Sequence, residues 1–394
     1  MRICINAAAA NQGGAVTYLL NLLPQLALLD SDDRYLVVAP ESTLERLAAV
    51  FADPRFQGER YPHPPGRFAR RVLFDQWDVP SIARRFRADL LYSSNGFGSI
   101  VHACPEALLV RNSIYFSKTL EQKLRALGRS TRDLRLRRAW SHLSMRRASG
   151  VLFPTRAMQN RVARFVSLTG KPTRAIHYGF DSDRFFSGQR PAEDLLAPMR
   201  AWRAAGRTVM VFMSGYAVHK NIETAIEGLS VMLSSGADVG LVLTAEWKPF
   251  GEMVEFEAML QRIRELGIED HVYMPGLQPW AQLHAFYAEA DLHLWPTFLE
   301  SFGHPMVEAM ASGLPTVAAD TDVNREILEG AAHYFDPFDP AACARTIRDV
   351  VSEPSTSNRL REAATERVKH FTWSAHAREL TAFFRELTGG RGIA

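Results

Sequence analysis

Cysteine is scarce in this chain. Cys4, Cys104 and Cys343 are the only three in 394 residues, and they stand far apart with no CxxC or metal-ligand spacing. That excludes a disulfide framework and a zinc module, and it reads as reduced thiols in a cytoplasmic protein. No run of about 18 apolar residues occurs, so no membrane-spanning helix is expected. The start, MRICINAAAANQGG, has too short an apolar run for a leader, and Asn6 interrupts it; RICINA reads better as a first strand. HExxH, Gly-x-Ser-x-Gly, the P-loop, low-complexity tracts and short repeats are also missing. An excess of one charge is missing too. The net charge is +3, which names no partner by itself.

What is present is ordinary globular material, 47% hydrophobic and 23% charged, in a length that fits two domains of comparable size. Strand-like runs alternate with helical periodicity. RICINA, 34–39, 88–94, 107–112, 151–154 and 174–178 are the strands of a first half, with an Arg-rich helical segment from about 118 to 148. Residues 54–67 are rich in Pro and Gly and read as a loop. The alternation restarts with strands at 208–214, 239–244 and 271–275 and helices at 221–234, 251–266 and 280–288. A last amphipathic helix is read at 373–387, and 389–394 as a frayed tail. Such alternation argues parallel sheets covered on both faces, and two similar halves suggest a cleft between them.

The most informative stretch is DLHLWPTFLESFGHPMVEAMASGLPTVAA, residues 291–319. Two apolar strand runs flank a loop, Thr297–His304, and a helix expected from Pro305 to about Ser312. Pro305 suits the first helical position, Gly313 can end the helix in the left-handed conformation, and Pro315 prevents its continuation. The loop therefore lies at the carboxyl end of a strand, where open α/β sheets bind ligands and a helix N-terminus offers N–H groups to an anion.

Glu300 and Glu308 frame the loop as Glu-x7-Glu. The spacing alone proves little, since Glu257 and Glu265 share it on what reads as an ordinary helix surface. The text between and after, E-S-F-G-H-P-M-V-E-A-M-A-S-G-L-P, closely resembles the signature of glycosyltransferase family 4. These are retaining enzymes of the GT-B fold that use nucleotide-diphosphate sugars. The segment HYGFDSDRFF (177–186) resembles the family's Gly-x-Asp-x-x-x-Phe lead into the interdomain linker.

The resemblance implies an α/β architecture of two Rossmann-like doubly wound parallel-sheet domains facing a cleft. It divides the chain into an acceptor domain (1–180), a nucleotide-sugar donor domain (181–372), and a C-terminal helix and tail (373–394) returning to the first domain. It implies a hexosyltransferase with no cofactor, whose donor is a UDP-, GDP- or dTDP-sugar and whose acceptor is a glycan or a lipid-linked glycan. Envelope polysaccharide or lipopolysaccharide assembly follows from family analogy alone. The alternatives on the same fold are a non-catalytic nucleotide-sugar-binding protein and a sugar-nucleotide epimerase.

Residue by residue, the resemblance gives Glu308 the ribose hydroxyls and sets Glu300 near the hexose and its anomeric carbon. Ser301, Phe302, Gly303, Met306 and Val307 would offer backbone N–H groups, with His304 beside them. Gly215-Tyr216-Ala217-Val218-His219-Lys220-Asn221 resembles the family's Gly-rich strand end with its Lys-Asn or Lys-Gly pair. Lys220 would neutralise the diphosphate, while Gly215 and His219 line the donor. An arginine common in that loop is missing here. A solvated lysine at a helix start is the other reading of Lys220. Gly13-Gly14 resembles the first-domain glycine loop facing diphosphate and acceptor, although a plain strand-to-helix turn would look the same. Arg111, with Asn112, stands where many members carry His-Asp or His-Asn, and would hold the hexose, a phosphate or an anionic acceptor.

No metal is expected. The pairs Asp30/Asp32, Asp181/Asp183 and Asp320/Asp322 lie in turn-like contexts where aspartate is common anyway. Between Lys123 and Arg164, Asp133 is the only acid among many arginines. Ser130-Thr131-Arg132-Asp133 reads as a capping box. Arg135, Arg138, His142 and Arg146 then form a basic stripe, with Leu136, Trp140 and Leu143 on another face. A solvated arginine face and a peripheral contact with anionic membrane are both open readings. Nucleic acid has no motif behind it. The expected location is the cytoplasm, at the inner face of the cell membrane if that contact exists.

Overall fold

The structure is a computed structural model that describes residues 1–11, 13–29, 32–62, 68–244 and 253–389. Gln12, Asp30, the end of the 54–67 segment, the first residues of the helix read at 251–266 and the tail beyond residue 389 lie outside the described residues. The described chain divides into two compact units. The first holds Met1–Lys118, Arg129–Gly179 and the chain from Thr372 on; the second holds Thr119–Gly128 and Phe180–Phe371. Residues 119–128 thus group with the second unit, although the expected boundary put them in the first. Lys123 shows the physical reason: its ammonium lies over the rings of Phe298 (5.5 Å) and Phe338 (4.6 Å).

The first unit is built on a seven-stranded sheet: β1 (Arg2–Asn6), β2 (Arg34–Ala39), β3 (Phe56–Arg60), β4 (Leu90–Ser93), β5 (Glu106–Leu109), β6 (Gly150–Phe153) and β7 (Thr173–Ala175). Its order is β3-β2-β1-β4-β5-β6-β7, and every pairing is parallel, with Cys4 of β1 opposite Leu36 on one side and Leu91 on the other. β4, β5 and β6 are buried along their whole length, which is what near-continuous apolar runs produce when helices cover both faces. β3 corrects the reading of 54–67 as loop. Only Phe56 of FQGER is buried, so the run carries no period-2 signal, and pairing to β2 is what makes it the edge strand.

The second unit carries a six-stranded parallel sheet: β8 (Thr208–Phe212), β9 (Val239–Leu243), β10 (Val272–Tyr273), β11 (Leu292–Trp295), β12 (Thr316–Ala319) and β13 (Ala332–Phe335). The order is β10-β9-β8-β11-β12-β13. Both sheets are doubly wound and Rossmann-like. Their strand order reverses at β1/β4 and at β8/β11. A parallel sheet leaves a crevice at the carboxyl ends of the strands at such a point. At β8/β11 that crevice receives the loops carrying Lys220 and Glu300.

The Arg-rich segment is two helices, Lys118–Ala126 and Arg132–Arg147, separated at Gly128, whose φ of 71° breaks the helical path. The expected capping box does not form. Thr131 caps the second helix without a side-chain bond, and Asp133 instead pairs forward with Arg137 at 2.7 Å. The basic stripe is only partly a surface. Arg138 donates to the Tyr115 carbonyl and lies 5.0 Å from the Phe165 ring, and His142 stacks on Phe116. Arg135 and Arg146 are exposed, and so are Leu136 (59%) and Leu143 (36%), while Trp140 packs on the core. No helix of the described residues is long and apolar enough to cross a membrane.

Candidate active site

The loop after β8 and the loop after β11 are tied together by backbone and side chains. Phe298 N–H donates to the His219 carbonyl at 3.2 Å. Asn221 adopts the left-handed conformation (φ 57°), and its amide donates to the carbonyls of Pro296 (3.1 Å) and Pro337 (2.6 Å). A left-handed residue with an amide explains Asn at this position, and Gly is the other residue that tolerates it. The short 3-10 turn Val218–Lys220 before it aims Lys220 back across the strand ends. The Lys220 ammonium meets Glu300 Oε1 at 2.6 Å and lies 5.0 Å from the centre of the Trp295 ring. Both charged side chains are mostly buried, at 16% and 12% exposure. Partners 80 residues apart are thus joined where a pair of charges is weakly screened.

Glu308 lies inside the helix His304–Ala311, one residue earlier in start than expected, so Pro305 is its second residue. Gly303 caps it at φ 86°, and a Cβ there would stand 2.5 Å from Met306 Cε. The helix ends in a Schellman motif: Gly313 N–H donates to Met310 O and Leu314 N–H to Ala309 O, both at 3.0 Å. Glu308 is buried. Trp280 Nε1–H donates to one carboxylate oxygen at 2.9 Å, and the Tyr287 hydroxyl to the other at 3.2 Å. Burial pushes its pKa up to about 7, against the two hydrogen bonds, of which Trp280's is the stronger pull downward. Enclosure and the neighbouring Lys220 charge push the His219 imidazole down to about 3, so it is neutral at pH 7.

Other expected donor residues are placed less uniformly. Ser301 and His304 are half-buried at the loop, with the His304 ring 5.0 Å from Phe302. Phe302, Met306 and Val307 are buried side chains, so only their backbone could meet a ligand. The Met306 N–H is already taken by the Gly303 carbonyl at 3.0 Å, which removes it from the set of free donors. A Cβ on Gly215 would meet Leu277 only at 3.6 Å, so nothing in the protein itself demands glycine there. Of the aspartate pairs, Asp181 caps the helix Ser182–Phe186 and Asp320 is paired with Arg325 at 2.7 Å.

Three residues of this site had no signal in the motifs. Trp280 and Tyr287 hold Glu308 from another helix pair, and Asn324 ties the loop down by donating to the carbonyls of Thr297 (3.2 Å) and Ala319 (2.8 Å). The Gly-x-Asp-x-x-x-Phe segment gave the one usable hint. Its phenylalanine, Phe185, is buried against Trp280 (5.3 Å) and Tyr287 (6.1 Å) and so stands behind both donors to Glu308.

In the first unit, Gly13 caps the helix Gly14–Leu28 at φ 61°, and the Arg111 guanidinium lies 3.1 Å from where a Gly14 Cβ would be. Asn112 is used locally, its side chain accepting from Ile114 N–H as the cap of the turn Ser113–Phe116.

Two doubly wound parallel sheets, each with residues of interest at a reversal of strand order, match the GT-B class of glycosyltransferases. Sucrose-phosphate synthase from Thermosynechococcus elongatus superposes with a TM-score of 0.74 at 16% identity, covering 99% of this chain and 100% of that one. Residues 12–184 match the sequence model of Glycosyltransferase Family 4, and residues 200–367 match that of Glycosyl transferases group 1. The chain belongs to glycosyltransferase family 4. A D-inositol 3-phosphate glycosyltransferase of Corynebacterium efficiens is 27% identical over 226 residues, 54% of this chain and 53% of the relative. A GDP-mannose-dependent alpha-(1-6)-phosphatidylinositol dimannoside mannosyltransferase of Mycobacterium tuberculosis is 26% identical over 283 residues, 66% of this chain and 70% of that protein. The chain spans about half the length of the first of these curated relatives.

Proposed function

We propose that this protein is a retaining glycosyltransferase that moves a hexose from a nucleotide-diphosphate sugar to an acceptor hydroxyl. The observation that carries the reading is the Lys220–Glu300 pair, 2.6 Å apart at the β8/β11 reversal, with the buried Glu308 on the helix that follows. Glu308 accepts the two ribose hydroxyls, since each of its oxygens has a lone pair left after Trp280 and Tyr287 have donated. The donor diphosphate competes with Glu300 for the Lys220 ammonium, and Glu300, so released, faces the positive charge developing at the anomeric carbon.

The bond from that carbon to the phosphate oxygen breaks, the acceptor oxygen bonds to the same face, and the acceptor proton passes to the departing phosphate. No enzyme nucleophile or metal is used. The protein supplies fixed charge and position, the main sources of rate enhancement open to such a reaction. The relatives' names, one a D-inositol 3-phosphate glycosyltransferase and one a phosphatidylinositol dimannoside mannosyltransferase, support an acceptor that is a phosphorylated polyol or a glycolipid; an envelope role is kept on family analogy alone. Arg135 and Arg146 beside exposed Leu136 and Leu143 support contact with an anionic membrane at its inner face.

Thermal shift with UDP-, GDP- and dTDP-sugars, followed by assay of sugar release, tests the reading. One of the three is expected to raise the melting temperature and to be turned over, at least by hydrolysis. Binding without any turnover, with or without acceptors, points to a non-catalytic binder. Turnover to an isomeric sugar nucleotide with no acceptor present points to an epimerase.

A further inference from the structure

Arg111 is a cation without a counter-charge. It follows β5 after one residue, Val110, and its Nη1 is buried with no hydrogen-bond partner. Among the described residues no carboxylate pairs with it. Its guanidinium instead lies over the rings of Tyr18 (5.7 Å) and Tyr178 (5.9 Å). These rings bring no negative charge of their own. Burial raises the pKa of the Tyr18, Tyr92 and Tyr178 phenols, so all three stay protonated.

The hydrogen bonds beneath them run in one direction. His376 Nδ1 lies 2.8 Å from the His177 carbonyl and must donate to it, so Nε2 accepts from the Tyr18 hydroxyl at 2.9 Å, and Tyr18 accepts from Tyr92 at 2.6 Å. Burial holds the His376 pKa down to about 4, so this chain is neutral throughout. The guanidinium is the unbalanced charge of the cluster. Cation–π contact offsets its desolvation only in part, and an unsatisfied buried donor on a charged group is costly to keep.

The surroundings suit an oxyanion. Arg111 Nη2 touches the Gly14 position, where the helix Gly14–Leu28 begins with no acid in its first turn and no side-chain cap. A larger residue at Gly14 would press on the guanidinium. Of the first-turn N–H groups, those of Val16 and Thr17 are taken by the Gly13 carbonyl at 3.0 and 3.1 Å, and those of Gly14 and Ala15 have no partner within the helix. An arginine fork takes two oxygens of a phosphate at once.

We infer that Arg111 binds a phosphomonoester carried by the acceptor, so that the substrate class of this enzyme is a phosphorylated sugar or polyol rather than a neutral glycan. The inference rests on the donor reading above, in which Lys220 of the other unit answers the donor's diphosphate and leaves Arg111 for the second substrate. Arg111 is then a specificity residue: an acceptor lacking the phosphate leaves the guanidinium unpaired and is disfavoured.

The test is calorimetric titration of the full chain, wild type, Arg111→Gln and Arg111→Lys, with inorganic phosphate, fructose 6-phosphate, fructose, inositol 3-phosphate and inositol, and separately with UDP and GDP. The phosphorylated probes are expected to bind wild type, and fructose and inositol to bind far more weakly. Arg111→Gln is expected to weaken the phosphorylated probes by roughly ten- to a hundredfold. Arg111→Lys, which keeps the charge without the fork, is expected to fall between, and it serves alone if the Gln variant does not fold. Nucleotide affinity is expected to change less than about twofold. Phosphate binding that is absent in wild type, or that survives Arg111→Gln and Arg111→Lys unchanged, overturns the inference. So does an equal loss of UDP or GDP affinity, which would give Arg111 to the donor. Failure of wild type to bind any nucleotide sinks the donor reading instead, while the phosphate titration still decides whether Arg111 is an anion site.

Discussion

Glu308 offers a direct test through its proton. In the proposed reading only the carboxylate can accept from both ribose hydroxyls, and burial has brought its pKa to about 7. Protons and donor therefore compete for it. Nucleotide affinity is expected to be fully developed above pH 8 and to fall about tenfold per pH unit as the pH drops well below 7. The ligand-free fold shows the opposite trend. A folded pKa above the unfolded one means that the native state holds the proton more tightly, so this group's contribution to stability is greatest below about pH 4.5 and declines as the pH rises through 7.

Tyr287→Phe deletes one donor to the carboxylate and little volume. A hydrogen bond to a charged group is worth about 1.5–3 kcal/mol, and 1.36 kcal/mol is one pH unit, so the midpoint should rise by about one to two pH units. At pH 7 that costs roughly fivefold or more in nucleotide affinity, and at high pH the affinity should recover. Trp280→Phe should move the midpoint further, since the Trp280 bond is the shorter and the stronger pull. Calorimetry from pH 5.5 to 9.5 in buffers of different ionisation heat reads both the affinity and the proton released. An unmoved midpoint, or a loss of equal size at every pH, refutes the assignment of Glu308 and its two donors.

Three further outcomes are expected. Glu300→Gln should lower kcat more than it raises the donor KM, and Lys220→Ala should cost orders of magnitude in rate, while wild-type activity should survive EDTA treatment; loss of activity in EDTA restored by Mn²⁺ would return the aspartate pairs to consideration. Asn221→Gly keeps the left-handed backbone but loses two hydrogen bonds, whereas Asn221→Ala adds strain of about 1–2 kcal/mol. The melting order should therefore be wild type, then Gly, then Ala, and an Ala variant melting above Gly contradicts the argument. Flotation with anionic vesicles should lose at least about fivefold in partitioning for each of Arg135→Glu and Arg146→Glu, since each removes a cation and adds an anion; no binding at low salt, or binding indifferent to both, removes the membrane from the account.

How much of this was legible in the sequence depended on where the information sits. Glu300, Glu308, Gly303 and Gly313 lie in one short strand–loop–helix–strand run, so the loop and the helix were legible in local spacing and backbone demand, while the roles proposed for the two glutamates came from the family resemblance. Lys220 was picked out by the same resemblance, through its Lys-Asn pair, and the left-handed Asn221 gives that pair its physical reason. Trp280, Tyr287 and Asn324 act from other elements, and no periodicity says which carboxylate or carbonyl a side chain will meet after folding. Two helices escaped for a different reason: Phe68–Phe86 and Glu193–Ala204 contain Pro80 and Pro198, which argue against helix locally and are overruled by packing. The capping box at Ser130 failed because Asp133 had a better partner one turn ahead in Arg137.

The last helix, Trp373–Leu387, has a consequence for how the chain is made. It belongs to the first unit, where Phe384 packs on Tyr92 (5.1 Å), Phe383 and Leu387 cover Gly150, and His376 bonds Tyr18. A ribosome delivers β1–β7 early and this helix late, after all of residues 180–371. The second unit has its whole segment before the first can be completed, so the unit synthesised first is the one that closes last. Until then its nascent sheet shows Tyr92 and the Gly150 face to solvent, a surface for chaperones during translation and for aggregation when translation stalls.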